Sequence, residues 1–187
     1  MARVSPAAPE QFAQVADVMA VWKATKGYPP NSWLTMARRP GVLRAYRALH
    51  TAVMMVEGEV PKALKFMVAH VVSHACSDSY CAAHNAENAA RIGGVSLEKV
   101  EALAQFGSSP LFTPAERAAL DLAHAAGTCP PGVSDAHFAE LRKYFGENAI
   151  IEIVSVIALL GWLNRWNMTL ATPLEAEAAA FAHRHLA

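Results

Sequence analysis

Apolar residues recur every three or four positions through most of this chain, and almost no segment shows the alternation of a half-buried strand. The pattern predicts an all-α, multi-helix fold. Its clearest element is FTPAERAALDLAHAAG: Thr113 is placed to cap, Pro114 fits the first helical position, Glu116 completes a capping box and Gly127 supplies the stop. SDAHFAELRKYFG follows the same grammar from Ser134 to Gly146, and SLEKVEALAQFG does so from Ser96 to Gly107. ENAIIEIVSVIALLGWLNRWNMTL is apolar on nearly every face, so it should run through the centre of a bundle or into a subunit interface.

In the first half, PGVLRAYRALHTAVMMVEG reads as a helix from about Val42 to Glu57 closed by Gly58, and Pro61 opens another through PKALKFMVAHVVSHA. CSDS then interrupts the periodicity with cap-forming residues, and Ala82 to Ile92 resumes as a helix ending at Gly93-Gly94. WKATKGYPPNSW, before and around Asn31, reads as a loop, and EAEAAAFAHRHLA as a terminal helix. No internal repeat, linker or low-complexity segment divides the chain, so residues 1–187 are expected to form a single domain.

Charge narrows the partners. Sixteen basic residues balance sixteen acidic ones and charged residues make up only 17% of the chain, so no electrostatic footprint for nucleic acid or an anionic membrane is present. A small neutral molecule or another protein fits better. The apolar fraction of 53% is high for a water-soluble chain, which predicts that sister subunits cover part of the surface as a dimer, trimer or hexamer. The longest run without a charge, Ile153 to Asn164, is twelve residues, against the roughly 20 needed to span a bilayer. MARVSPAAPEQFAQVADVM has no apolar stretch behind a basic start, so a cytoplasmic location is expected.

The chemistry concentrates in SHACSDSYCAAHN, residues 73–85, which holds two cysteines, two histidines and an aspartate. If Ser77 or Asp78 caps the second helix, Cys81 lies in its first turn, where unpaired N–H groups and the macrodipole favour a thiolate, while an ionised Asp78 beside it would oppose one. His84 follows at i+3 on the same face as an acid–base partner. Cys76 and Cys81 are five residues apart, about 8 Å or more along a continuous helix and beyond disulfide reach, so a bridge requires the helix to break between them. His70 and His74 at i, i+4 raise a metal site completed by Cys81 or His84, although no acidic cluster supports one and no metal or other cofactor is expected. The same residues are also compatible with plain packing, because free cysteine is among the most buried residue types. Cys129, in GTCPPG, has no polar constellation and reads as structural.

The run from Pro40 to Leu103, with YCAAHN at its core, together with SPLFTPAERAALDLA and IALLGWLNRWNMTLATPLE, resembles the carboxymuconolactone decarboxylase and alkylhydroperoxidase D-like superfamily, in its peroxidase-related branch. The resemblance spans about residues 40–175. It implies an all-α oligomer and a thiol-dependent peroxidase or reductase acting on a small hydroperoxide or other small apolar molecule, with a thiol reductant. On this reading Cys81 corresponds to the second cysteine of the family's Cys-x-x-Cys pair and His84 to its histidine, while Cys76 is the candidate resolving thiol. The first cysteine position holds Asp78, the relay-glutamate position Phe66, and the other common histidine position Asn85. Asp78, Tyr80, Asn85, His70 and His74 would surround the site, with the two histidines as a substitute relay. The alternative is a non-redox member, either a lactone-processing enzyme or a catalytically silent binder of a small apolar molecule. A lactone dicarboxylate would need a basic clamp, for which only Arg91 and Arg165 are near.

Overall fold

The computed structural model describes residues 2–186, with the side chains of residues 22, 25 and 26 outside the description. Two short N-terminal helices, α1 (Pro9–Ala13) and α2 (Ala16–Lys26), lead into α3 (Asn31–Met36) and α4 (Pro40–His50). Next come α5 (Lys62–Ala75), α6 (Ser79–Arg91), α7 (Leu97–Glu101), α8 (Pro114–Gly127), α9 (Asp135–Leu141), α10 (Glu147–Leu170) and α11 (Ala176–His185). No strand occurs among the described residues.

The core is built on α5, every residue of which from Leu64 to Ser73 is buried. It packs against α6, α8 and α10, and α11 lies across α6. Burying side chains such as Phe66, Met67, Leu120 and Ile153, each less than 2% exposed, is worth roughly 1.5–3 kcal/mol apiece. Gly127 ends α8, but contact as well as termination demands glycine there. A Cβ at this position would sit 2.5 Å from the Val72 carbonyl oxygen and 2.7 Å from Ala75 Cβ, so only glycine lets α8 press against α5.

The interruption at CSDS is a tight corner. The Asp78 N–H bonds the Ser73 carbonyl at 2.9 Å and the Ser77 N–H bonds that of His74 at 2.9 Å, a Schellman closure of α5. Ser77 occupies the left-handed residue of that motif at φ 62°, a place glycine usually takes. Asp78 therefore finishes one helix and caps the next: its Oδ1 accepts from Tyr80 N at 3.0 Å and Cys81 N at 3.3 Å.

Several boundaries differ from expectation. The helix from Val42 begins at Pro40 and turns π-helical over Thr51–Met55, where the Thr51 hydroxyl bonds back to the Arg47 carbonyl at 2.9 Å. Part of the segment read as a loop before Asn31 is helical, α2 running to Lys26 and closing on left-handed Gly27. The helix expected from Ser134 to Gly146 stops at Leu141, and that from Ser96 tightens to a 3-10 turn over Ala102–Gln105. The Thr113 capping box forms as read.

By length and composition, α10 is the one described helix that passes as a membrane span. In this fold it is a core helix on one side only: Ile153, Val156, Leu160 and Asn164 are buried, while Ile151 and Trp162 are 63% and 43% exposed. Leu49 and Val56 are also exposed, as is Met168. The apolar surplus in the composition thus stands partly on the outside of a single chain.

Candidate active site

Cys81, His84, Asn85 and Asn88 recur at i, i+3, i+4 and i+7 along α6 and so share one face. That face forms one wall of a cavity. Trp33 from α3, Tyr46 and His50 from α4, Met54 from the π-turn and Leu160 and Leu163 from α10 line the rest. The space is narrow: about 50 Å³ admits the centre of a water molecule, within about 510 Å³ of atom-free volume that includes the open mouth. The aromatic wall is pre-packed, with Trp33 edge-on to Tyr46 at 6.2 Å between centroids and Tyr46 stacked on Trp162 at 5.4 Å. His50 is neutral there, its pKa pushed down to about 4 by burial and by the Arg47 charge.

Cys81 is 1% exposed and reduced. Burial comes first in pushing its thiol well above the usual cysteine range; the charge of Asp78 and a thiol–carboxylate hydrogen bond push the same way. The Asn167 carboxamide acts in the opposite sense, its Nδ2 donating to Sγ at 3.2 Å. Asp78 Oδ2 is buried without an N–H or O–H partner, and the adjacent thiol is the group placed to serve it. Burial in turn raises the Asp78 carboxyl. The helix N-terminus therefore does not deliver the resting thiolate expected from sequence: desolvation and a like charge outweigh it. The sulfur is a protonated thiol with a raised-pKa carboxylate beside it as a proton acceptor.

Sequence reading missed the third member of the site, Glu175, in the segment between α10 and α11. Its Oε2 lies 2.6 Å from His84 Nε2, and its Oε1 accepts from the Tyr80 hydroxyl at 2.8 Å and from the Asn31 N–H at 2.5 Å. Although burial alone would raise the Glu175 carboxyl, the hydrogen bond and charge of His84, with the Asn31 N–H, hold it below its usual range. A carboxylate can only accept, so His84 Nε2 carries a hydrogen. Tyr80 stays a phenol, pushed up by burial and by Glu175. Glu175 lies 94 positions beyond Cys81, so no local spacing links it to the YCAAHN motif, and its only sequence signal is its place as the polar residue closing IALLGWLNRWNMTLATPLE.

A family model of the carboxymuconolactone decarboxylase family matches residues 40–125. A cysteine-to-alanine variant of the debrominase Bmp8, in complex with 2,3,4-tribromopyrrole, is 34% identical and superposes with a TM-score of 0.89 over 97% of this chain and 96% of that one. The chain belongs to the carboxymuconolactone decarboxylase and alkylhydroperoxidase D-like superfamily. An alkylhydroperoxidase AhpD core, an uncharacterized peroxidase-related protein from Ralstonia eutropha JMP134, is 26% identical with a TM-score of 0.83, over 97% of this chain and 95% of that one. The uncharacterized protein YnjA of Escherichia coli (strain K12) is 30% identical over 112 residues, 60% of this chain and 61% of YnjA's own length.

Several residues expected at the site lie outside the cavity. Cys76 caps the end of α5, half-buried and reduced, and does not line the Cys81 cavity. His70 and His74, expected near the thiol as a relay or metal pair, face elsewhere. They stack on each other at 6.0 Å and line a second cavity with His124 of α8. The reason is helical phase, since the α5 face that carries them turns toward α8 and the 3-10 turn. His70 Nδ1 donates to the Ala82 carbonyl at 2.9 Å, and burial lowers its pKa to about 4. Among the described residues no group of three or more His, Cys, Asp and Glu is arranged to hold a metal ion. Phe66, at the relay-glutamate position, is buried core. Arg91 pairs with Glu87 at 3.3 Å and Arg165 is exposed, so neither supplies a clamp in the cavity. Cys129 is exposed and reduced.

Proposed function

We propose that this protein is a thiol-dependent reductase that removes halogen from a small, flat aromatic ring, with Cys81 as the nucleophile. The observation that carries the reading is a single buried thiol set in an aromatic-walled cavity, with a proton acceptor beside it and a proton-donating network on the same wall. A planar ring between Trp33, Tyr46 and Tyr80 gains stacking and apolar burial. The debrominase Bmp8, over nearly its whole length, supports this class of substrate.

The chemistry balances with two external thiols. Asp78 takes the Cys81 proton as the sulfur attacks a ring bromine. The carbon–bromine electron pair returns to the ring, and the ring carbon takes a proton supplied through His84 and Tyr80, oriented by Glu175. This leaves the hydrogen-substituted ring and a Cys81 sulfenyl bromide. One thiol attacks that sulfur, releasing bromide and forming a mixed disulfide; a second thiol frees Cys81 as a disulfide forms between the two. Overall, one aryl bromide and two thiols give the debrominated ring, one disulfide, bromide and a proton.

The test is incubation of the purified protein with brominated pyrroles and excess dithiothreitol, with bromide measured by ion chromatography and ring products by mass spectrometry. Bromide release that disappears in Cys81→Ala is the expected result. No release above the Cys81→Ala background across the panel would sink the reading. A second reading, hydroperoxide reduction, is favoured by the corner at Ser77, which breaks the helix between Cys76 and Cys81 as a disulfide pair would need. Under tert-butyl hydroperoxide that reading requires a Cys76–Cys81 disulfide or sulfenic acid at Cys81, both identifiable by peptide mapping with a dimedone trap.

A further inference from the structure

The α6 wall carries one buried polar atom that the chemistry above does not use. Asn88 is 5% exposed, lines the cavity one turn beyond His84, and its Oδ1 has no hydrogen-bond partner. An unpaired buried carboxamide oxygen costs about 1–3 kcal/mol, so an arrangement that keeps one in a ligand cavity is completed when the ligand donates to it. Its neighbour Asn85 is held the same way round: Nδ2 donates to the Cys81 carbonyl at 2.8 Å, which leaves Oδ1 as the outward end of the amide. The upper part of the α6 wall therefore offers acceptors. The aromatic wall opposite offers faces for stacking and no charge, since His50 is neutral.

Resting on the reading of the cavity as a site for a small aromatic ring, we propose that Asn88 is a specificity-determining residue that accepts a hydrogen bond from a ring N–H, so that the preferred substrates are N–H heteroaromatics. Asn88 lies seven residues beyond Cys81, two turns along the same face. A ring anchored at Asn88 by its N–H thus points its substituents back along α6 toward the sulfur. Halogens strengthen such a donor by withdrawing electron density from the ring nitrogen. Methylation of that nitrogen removes the hydrogen and sets a methyl group against Asn88.

The experiment measures binding, so that it does not depend on turnover. Isothermal titration of Cys81→Ala with 2,3,4-tribromopyrrole and with its N-methyl analogue gives the preference for N–H. The expected result is binding about tenfold or more weaker for the N-methyl compound. In Cys81→Ala/Asn88→Leu the preference should shrink to within about twofold, and in Cys81→Ala/Asn88→Asp, which keeps an acceptor, it should persist. Equal binding of both compounds by Cys81→Ala overturns the role of Asn88 and leaves the dehalogenase reading standing. A preference unchanged by Asn88→Leu overturns it too. Binding of neither compound, in a variant whose circular dichroism and melting match the native chain, overturns the role of Asn88 together with the aromatic-ring reading.

Discussion

Replacing Glu175 by glutamine separates the site's architecture from its charge. Glu175 Oε1 holds the Tyr80 hydroxyl and the Asn31 N–H, and Oε2 faces His84 Nε2. Glutamine can keep Oε1 and both of its bonds while presenting an NH₂ group to His84, which must then accept at Nε2 and carry its hydrogen on Nδ1. A charge-assisted bond, worth about 1.5–3 kcal/mol, is exchanged for a neutral one of about 0.5–1.5, a net loss of roughly 1–1.5 kcal/mol. For a chain of this size that corresponds to a drop in melting temperature of about 2–6 °C. Glu175→Ala instead strands three donors around a buried gap and should cost at least about 3 kcal/mol. Turnover should respond more strongly than stability, because the amide no longer supports positive charge on the His84 ring as it passes on a proton, and general acid catalysis contributes about 10²–10⁴ in rate. The assays are thermal and urea unfolding, histidine ¹⁵N NMR for the tautomer, and bromide release at saturating substrate. A Glu175→Gln protein with switched His84 tautomer and native kcat would refute the proton-donor role of His84. An unswitched tautomer would refute the hydrogen-bond geometry itself.

Acid should destabilise the fold in a defined window. The Glu175 and Glu152 carboxyls, which burial would raise, are held lower by His84 and the Asn31 N–H and by Lys65 with the Glu59 and Val60 N–H groups. Their contributions are complete above the unfolded value near 4.5 and are lost as pH falls through the lower folded values, whereas the raised Asp78 carboxyl works in the opposite sense. Urea midpoints from pH 7 to 3 should therefore fall mainly below about pH 4.5, and less so in Glu152→Gln. Asp78→Ala should lose the α6 cap at about 1–2 kcal/mol, while Asp78→Asn keeps an acceptor, and in Asp78→Asn the Cys81 thiol should alkylate faster at a given pH. Cys76→Ser should leave thiol-driven bromide release within about twofold of native, and a large loss would restore Cys76 as a resolving residue. Light scattering should return a mass above the 20.1 kDa of one chain, because Leu49, Val56, Ile151 and Trp162 are otherwise left in water; a monomer at micromolar concentration would contradict this.

The local pattern of the chain determined most of the architecture by itself. The Thr113 box, the Ser96 cap, the corner at CSDS and the placement of Cys81, His84 and Asn85 on one helical face are consequences of residue types within a few positions of one another. The same local logic misplaced some boundaries, as in the extension of α2 to Lys26 and the π-turn after His50. It also failed for the sulfur, because a first-turn position suggests a thiolate while its ionisation depends on burial and on Asp78. Only the tertiary structure decided that Glu175 orients His84 and that His70 and His74 face away from the thiol toward His124. Side-chain spacing along a helix fixes which residues share a face, but what each face meets, and how dry it is there, depends on segments far apart in the chain.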